Sequence, residues 1–385
     1  LGGNAAYLER LRRLDEAFAG NDRVYRQAKS SIADVDAPEV HGLAVNATLS
    51  RRSFSKPGRV YLQVGLRGSQ RYGWRRPPLD IAVVVDQPAL ANNRERVSEI
   101  LLRLVRDLGA QDRVIVHVVG GGPEPFLAAA PANQLRFRIA EKVDSLQAGE
   151  PVDPSGLGDT MDAAGAALAK LGATTHRIPG AQIALLLVDG QRTERVGAAR
   201  EAAHRLTLQG AVTSVLAVSA KHEQTSHGWW QVANAGHGSY RLVAAGQEDE
   251  AVRAELDALS RVVARLIRVN VRLGPHTQAI RIIGSKVLGQ QEVKRVKARE
   301  QVVDQKLSET MGLEADRGDD DDGIQTVIPY FLGGDSHVML IELWVDGPGH
   351  IADVELRYKD LVTLANATAR ASVALPRYGR EDGAA

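Results

Sequence analysis

Three hydrophobic patterns succeed one another along the chain. Between residues 41 and 66, two stretches alternate apolar and polar residues on either side of Pro57-Gly58, which predicts an antiparallel strand pair with one face in water. From Leu79 to Leu266, short wholly apolar runs alternate with segments whose apolar residues recur every three or four positions. Such runs are typical of strands buried on both faces, and such spacing is typical of amphipathic helices. After Arg268 the alternating strand pattern returns.

These patterns predict an α/β fold in several parts. Strands that alternate with helices favour a doubly wound, mainly parallel sheet for residues 79–266. The strands on both sides predict one β-rich, sandwich-like domain, made of residues 34–78 and 267–376, with the α/β unit inserted in it, because the first β segment is too small to be stable alone. We expect N-terminal helices over residues 1–33 and a polar tail over residues 377–385.

Two predicted helices lie near the start and at the end of the α/β segment. One extends from about Arg94 to Leu108 with Asn92 or Asn93 as its cap, so that Gln87–Asn92 is expected to be a loop. The other is a long helix from Gln247 to Leu266, whose first turn is acidic and whose last turn is basic, as the helix dipole favours.

The composition excludes several classes of function. Lys and Arg number 48 against 47 Asp and Glu, and aromatic residues make up 4%, so neither a global positive charge nor stacking platforms favour a nucleic-acid partner. The chain has no cysteine, which excludes disulfides, thiolate metal sites and cysteine nucleophiles. No stretch is long enough and apolar enough for a transmembrane helix.

Polar residues come directly after two of the apolar runs. The run that begins at Leu79 ends in Asp86, and the run Ile183–Val188 precedes Asp189. Between them, the Gly-rich loop Gly156–Thr160 enters a helix and carries the hydroxyl of Thr160. Open α/β sheets bind ligands beyond the carboxyl ends of their strands, so these residues are the candidates for a functional site.

The order and spacing of these three segments resemble a von Willebrand factor A (VWA) domain, over about residues 79–266. The wider layout, with β segments on both sides, resembles bacterial VWA proteins of the calcium-activated-channel-like and inter-alpha-trypsin-inhibitor heavy-chain kind. In that family a divalent cation is held by Asp-x-Ser-x-Ser on the first loop, Thr on the second and Asp on the third. By this resemblance Asp86, Thr160 and Asp189 match, whereas Pro88 and Leu90 stand at the two Ser positions.

The resemblance therefore implies a degenerate metal site. Mg²⁺ prefers about six oxygen ligands, and neither Pro88 nor Leu90 has a side-chain oxygen. We expect no metal ion and no other cofactor, with Asp86, Thr160 and Asp189 tying loops together by hydrogen bonds. Binding of Mg²⁺ or Ca²⁺ through a modified site is the alternative, for which substitute oxygens are available from Asp153, Ser155, Asp159 and Asp162.

The function that the resemblance implies is non-catalytic protein–protein interaction, as an adhesion-like or assembly module. The binding face is expected at the loops Gln87–Asn92, Pro154–Thr160 and Gly190–Thr193. The predicted partner-binding residues are Asp86, Gln87, Pro88, Leu90, Thr160 and Asp189. The alternatives are a structural subunit of a bacterial envelope or surface assembly in which the VWA unit is a spacer, metal-dependent ligand binding, and an enzyme with an unrecognised site.

The partner is expected to be a protein, within a larger assembly. The chain begins at Leu1 without Met. Together with the resemblance, this leads us to expect a processed form in the periplasm or on the surface of a bacterium, with a cytoplasmic location as the alternative.

Two further stretches invite a functional interpretation. Trp229 and Trp230 are expected to pack beneath the sheet edge, and would be an anchor for a partner if exposed. The acidic run Asp319–Asp322 is not an EF-hand, because placing Gly323 at the sixth position puts Gly318 first and Pro329 twelfth, where ligands belong. We interpret it as an acidic turn in solvent.

Overall fold

The computed structural model describes residues 36–71, 77–122, 124–148, 152–173, 180–219, 228–283, 287–312 and 323–377. The described residues divide into two compact units. An α/β unit comprises residues within 77–262 together with 295–312, and a β-rich unit comprises residues within 36–71, 263–294 and 323–377. The predicted N-terminal helices and all of the predicted tail after Arg377 lie outside the described residues.

Strands and helices are numbered here in chain order. The strands are β1 (Leu43–Leu49), β2 (Gly58–Gly68), β3 (Leu79–Val85), β4 (Arg113–Val118), β5 (Leu127–Pro131), β6 (Ala181–Asp189), β7 (Ala211–Val218), β8 (His237–Val243), β9 (Val262–Leu273), β10 (Thr277–Ile283), β11 (Ile324–Leu332), β12 (Ser336–Val345), β13 (Gly349–Asp360) and β14 (Ala365–Leu375). The helices are α1 (Gln87–Asp107), α2 (Ala132–Lys142), α3 (Gly156–Ala173), α4 (Val196–Leu208), α5 (Trp229–Ala235), α6 (Glu248–Ser260) and α7 (Gln290–Met311). Among the described residues, no helix combines the length and the apolar character needed to cross a membrane.

The α/β unit contains the mainly parallel sheet that the sequence predicts. Its strand order is β5-β4-β3-β6-β7-β8, and every neighbouring pair is parallel except β4 with β5. Strand β3 lies between β4 and β6, and all its residues are buried, as its uninterrupted apolar run requires. Because β3 and β6 pair in parallel with Val85 opposite Leu187, their carboxyl ends meet at one edge of the sheet.

One face of this sheet is packed by α3 and α4. Ala82 and Val84 of β3 share a fully buried core with Leu186 of β6, Met161 of α3 and Leu206 of α4. This packing fixes the amino-terminal turn of α3 and the approach to α4 over the sheet edge where β3 and β6 end.

The β-rich unit consists of two four-stranded sheets, in the orders β1-β2-β12-β10 and β11-β9-β13-β14. Strand β2, which precedes the α/β unit in the chain, pairs with β12, which comes after it, and Val64 lies opposite Met339. Both sheets contribute to one core, in which Leu62 and Ile341 of the first are buried together with Val269 and Leu356 of the second. The predicted sandwich-like domain built from both flanks is therefore confirmed.

The predicted helix from Gln247 to Leu266 is wrong in its last third. Helix α6 ends at Ser260, and β9 begins at Val262. From Val263 on, alternate apolar residues such as Val269 complete the sandwich core, and that burial outweighs the helical spacing that continues from α6. Leu266, within β9, has a positive φ of 51° at the point where the register between β9 and β13 shifts.

Helix α7 lies within the predicted second part of the β-rich domain, yet most of it belongs to the α/β unit. Arg299 Nη2 donates to Gln182 Oε1 at 3.0 Å, and Lys306 Nζ donates to the carbonyl of Gly172. Among the described apolar side chains of α7, Val296 and Leu307 are buried. The sequence did not predict this helix, because the segment is rich in charged residues and has few apolar residues to show a helical spacing.

Candidate functional site

Asp86 directly follows β3 and caps helix α1. Its backbone is extended, with φ −77° and ψ 146°, and its Oδ1 accepts from the backbone N–H of Gln87 at 2.9 Å. Pro88 suits the first turn of a helix, where its missing N–H costs nothing. The predicted loop Gln87–Asn92 is therefore helical, and the helix kinks at Asn93, which is one of the two predicted caps.

The guanidinium of Arg195 joins three segments at this edge of the sheet. Its Nη1 donates to Asp86 Oδ1 at 2.9 Å, and its Nη2 donates to Gln87 Oε1 at 2.9 Å and to the carbonyl of Val152 at 3.0 Å. Arg195 immediately precedes α4, whereas Val152 precedes α3. One cation thus links the start of α1, the entry to α3 and the loop between β6 and α4.

Burial dominates the electrostatics of Asp86. The residue is 1% exposed, and its burial raises its pKa to about 6 even though Arg195 acts in the opposite direction. The nearby carboxylate of Asp189 adds to the increase. The Arg195 side chain is itself only 12% exposed, so the pair is a largely buried ion pair.

Asp189, the last residue of β6, is held by groups other than Arg195. Its Oδ2 accepts from Asn92 Nδ2 at 2.6 Å, and its Oδ1 accepts from the backbone N–H of Gln191 at 2.8 Å. Asn92 therefore ties α1 to the end of β6. Both predicted carboxylates are buried and hydrogen-bonded within the protein, as their expected role of tying loops together requires.

The other side chains that could supply oxygen ligands to a cation form hydrogen bonds or ion pairs with other groups of the protein, or are exposed. The Thr160 hydroxyl donates to the carbonyl of Gly156 in its own helix at 2.8 Å. Asp153 accepts from the Ser155 hydroxyl at 2.6 Å, which lowers the pKa of Asp153. Asp162 forms an ion pair with Arg205 at 2.7 Å, and Asp159 is exposed.

The donor set does not fit a divalent cation held in the usual family manner. Within the described part of the chain, no three acidic or histidine side chains are grouped closely enough to hold a metal ion. A guanidinium lies on Asp86, the carboxylate that the resemblance offers to a cation, and the two positions that should supply hydroxyls are Pro88 and Leu90.

The structure corrects the predicted set of partner-contacting residues. Four of the six side chains are buried, namely those of Asp86, Gln87, Leu90 and Asp189, and only Pro88 and Thr160 are partly exposed. Exposed residues in and next to the same three segments form what we term the loop-top surface, which consists of Ala91, Asn92, Asp153, Pro154, Ser155, Gln191, Arg192, Thr193 and Glu194.

Trp229 supports this surface from beneath. Its indole Nε1 donates to the carbonyls of Arg192 at 2.6 Å and Asp189 at 3.2 Å, which holds the turn after β6. Trp229 and Trp230 are both buried, in agreement with the predicted packing role and against the idea of an exposed anchor.

Arg195, the central residue of this site, was not predicted from the sequence, and Asn92 was expected only to cap a helix. A signal was present, since two carboxylates at one buried edge, without the usual hydroxyls, need a compensating cation or donor. Arg192 and Arg195 both stand shortly after Asp189 in the sequence, and the structure selects the second.

No protein-family model matches the chain, and no curated protein sequence matches it significantly. Among solved structures, the chain is similar to a von Willebrand factor type A protein from Catenulispora acidiphila, with a TM-score of 0.59 and 12% identity over 89% of this chain and 76% of that one. It is also similar to the ArnB paralog VWA2 from Sulfolobus acidocaldarius, with a TM-score of 0.51 and 13% identity over 87% of this chain and 76% of that one. At these identities the likeness is one of fold, and it confirms the predicted VWA-like fold.

Proposed function

We propose that the chain is a non-catalytic protein-binding module, which recognises its partner through the loop-top surface without a divalent cation. One observation carries the proposal: the Arg195 guanidinium lies 2.9 Å from Asp86 and bonds Gln87 and Val152 as well. It supplies, from within the chain, positive charge at the carboxylate where the family places a metal. Charge compensation at this edge therefore does not depend on an ion from solution.

The hydrogen bonds of Arg195 and Asn92 also support a preorganised surface. They fix the three segments that carry the exposed residues of the loop-top surface. A surface that is already ordered loses less conformational entropy when it binds, so more of its contact energy is available for affinity. The partner contacts would come from exposed side chains such as Gln191 and Thr193, and the buried carboxylates would act only by positioning them.

The proposal includes an adhesion-like or assembly role outside the cytoplasm, which rests on the sequence resemblance. Fractionation of the producing cells tests the location, since recovery in the cytoplasmic fraction alone would contradict it.

A second candidate is the spacer role within a larger assembly. The burial of Asp86, Gln87, Leu90 and Asp189 favours it, because side chains that bond only within the protein stabilise a scaffold without offering a contact. In that case the loop-top surface would touch nothing, and substitutions there would leave the assembly intact.

Site-specific photo-crosslinking in the producing cells distinguishes these two candidates. A photoreactive amino acid is placed at Gln191 or at Thr193, with exposed Glu141 of α2 as the matched control position. We expect a discrete protein adduct from the two loop positions, none from the control, and the same yield in the presence of EDTA. Adducts from the control position alone would favour the spacer, and loss of the loop adducts in EDTA would overturn cation-independent binding.

Calorimetric titration of the purified chain with Mg²⁺ and with Ca²⁺ tests the metal part of the proposal directly. We expect no saturable heat from either ion. Saturable binding that disappears in Asp86→Asn and in Asp189→Asn would show that the modified site binds a cation after all.

A further inference from the structure

Strand β14 is an edge of the β-rich unit, and it lacks the features that protect two other edges of that unit. It is the last strand in the order β11-β9-β13-β14, and among the described strands only β13 pairs with it. It extends over 11 residues without proline. By contrast, the opposite edge strand β11 contains Pro329, and the edge strand β10 has a bulge next to Ala279. Proline and bulges keep other strands from adding to an edge, so β14 is open to such addition.

About half of the backbone polar groups of β14 point away from β13. In an antiparallel pair, successive residues direct their N–H and C=O groups alternately towards and away from the neighbouring strand. Along residues 367–375, no described group outside β13 bonds to the backbone of β14. This open edge ends at Pro376, whose carbonyl accepts from the backbone N–H of Phe54 at 2.7 Å. Strand β14 therefore presents a row of donors and acceptors that an added strand can pair with.

Small apolar side chains line the inward face of β14 and are only partly buried. Ala367, Ala369, Ala371 and Val373 lie opposite buried core residues of β13 and pack against the sandwich core. Each of them is nevertheless in partial contact with water. In the other sheet, Val45 of the edge strand β1 is also only partly buried against the same core. Both sheets thus leave apolar surface uncovered at this side of the sandwich, and covering it is favourable.

The single charge of β14 argues against a second copy of the chain as the added strand. In the register that pairs all 11 residues of two antiparallel β14 strands, Arg370 lies opposite its own copy. Like charges directly opposite each other destabilise a sheet, whereas opposite charges stabilise it. The Arg370 side chain is 74% exposed and bonds to Glu355 on β13, which leaves its other side open to the added strand. An acidic side chain opposite Arg370 therefore fits this edge better than a copy of β14 does.

We propose that β14 binds an extended segment of another protein, which joins the four-stranded sheet as a fifth strand through backbone hydrogen bonds. The segment has apolar side chains at alternate positions, which cover the inward face of β14, and an acidic side chain opposite Arg370. In strand addition of this kind, the main-chain hydrogen bonds supply affinity and the alternate side chains supply specificity. The site uses no residue of the loop-top surface, so it is independent of the proposed function.

The test follows the fluorescence anisotropy of a labelled peptide as long as β14, titrated with the full chain. The peptide alternates Val with Thr and has Glu at its centre. We expect saturable binding. The same peptide with its backbone nitrogens methylated has no N–H donors and should not bind, because strand addition depends on them. A peptide with Lys in place of the central Glu should bind more weakly.

A charge variant and its control test the role of Arg370. Arg370→Gln should weaken binding of the Glu peptide roughly threefold and should not weaken binding of the Lys peptide. Arg253→Gln removes an exposed arginine of α6 in the α/β unit and should leave the binding of both peptides unchanged. Equal losses in the two variants would show that only the overall charge of the chain matters.

Amide hydrogen exchange followed by NMR locates the bound peptide. The Glu peptide should slow the exchange of alternate amides within residues 367–375 and leave the amides of the bulged edge strand β10 unchanged. Binding without this protection, or equal binding of the methylated peptide, would overturn strand addition at β14. Slow exchange of those amides before peptide is added would show that the chain's own segment occupies the edge. A dimer that the peptide dissociates in sedimentation would make the occupant a second copy.

Discussion

Two arginine–carboxylate clusters in this chain differ in balance and in burial. At the end of the parallel sheet, one guanidinium, that of Arg195, meets one deeply buried carboxylate, that of Asp86. On the outward side of the second sheet of the β-rich unit, the guanidinium groups of Arg272, Arg357 and Arg370 surround the carboxylate of Glu355, and those of Arg272 and Arg370 extend into solvent. The first cluster is shielded from water, whereas two of the cations in the second are in contact with it.

The difference teaches which charges stabilise a fold and which remain available to a ligand. A buried pair interacts in a medium that screens charge poorly, so removing one partner leaves the other uncompensated. An exposed guanidinium interacts through water, and its loss changes stability little. We therefore expect the same residue type to stabilise the fold strongly at position 195 and only weakly at position 370.

The largest expected effect is the loss of the Arg195 guanidinium. Arg195→Met leaves Asp86 buried without its cation and removes the hydrogen bonds to Gln87 and Val152. We expect the free energy of unfolding at neutral pH to fall by about 3 kcal/mol, as for other broken buried pairs. Urea denaturation monitored by circular dichroism measures it.

A matched control is Arg192→Met, three residues earlier on the exposed loop, which should change stability by no more than about 0.5 kcal/mol. The double variant Asp86→Leu with Arg195→Met removes both charges and should recover much of the loss. A double variant as unstable as the sum of the two single changes would show that the pair is not coupled.

The sequence predicts one of these clusters in part and the other hardly at all. The apolar run before Asp86 correctly placed a carboxylate directly after a buried strand, at the carboxyl edge of the parallel strands. The degenerate metal site that Pro88 and Leu90 indicate stays a prediction. Arg195 could not be identified, because its bond to Asp86 joins residues 109 positions apart and depends on how α4 packs on the sheet.

The predicted boundary between α6 and β9 is wrong for a related reason. Val263 continues the helical spacing of α6 and also begins the alternation of β9, so the local pattern fits both structures. Only the sandwich core, to which distant strands contribute, decides between them. The alternation did predict the strands that carry Glu355 and Arg370, but their neighbours across the sheet depend on the register, which the sequence leaves open.

The second-largest expected effect concerns the pH dependence of the free energy of unfolding. The contributions of Asp86 and Glu355 should change with pH in opposite directions. The pKa of Asp86 is raised to about 6, so the folded state holds its proton more tightly than the unfolded state does. Its stabilising contribution is fully present below the ordinary aspartate pKa, which is close to 4, and is lost as the pH rises through about 6. The pKa of Glu355 is lowered, so its contribution is present above the ordinary glutamate range and is lost as the pH falls through its folded-state pKa.

The direction of the Asp86 effect is tested by measuring the free energy of unfolding from pH 4 to pH 7 in the original chain and in Asp86→Asn. The amide keeps an acceptor oxygen for Gln87 and Arg195 but does not titrate. Relative to this variant, the original chain should be about 2 kcal/mol more stable at pH 4 than at pH 7, somewhat less than the full shift implies. A difference that is constant across the range would show that Asp86 does not titrate there.

The third-largest expected effect is the removal of the carboxylate of Glu355, which three guanidinium groups surround. Glu355→Gln leaves Arg272, Arg357 and Arg370 close together without their shared carboxylate. We expect a loss of about 1.5 kcal/mol in the free energy of unfolding, which should shrink as added salt screens the repulsion. Asp353→Asn, a neighbouring exposed carboxylate on the same strand, is the control and should cost less than about 0.5 kcal/mol. A loss that does not respond to salt would argue against charge repulsion.

The smallest effect on stability is expected at Arg370. It compares an exposed guanidinium group directly with the buried one of Arg195. Arg370→Ala removes a guanidinium that is 74% exposed on the edge strand β14, where water replaces its bond to Glu355. We expect the free energy of unfolding to change by less than about 0.5 kcal/mol, against the much larger loss for Arg195→Met. Because Arg272 and Arg357 still hold Glu355, the sheet keeps its counter-charge. A loss as large as that at Arg195 would mean that the exposure of the guanidinium group does not decide how much each cluster stabilises the fold.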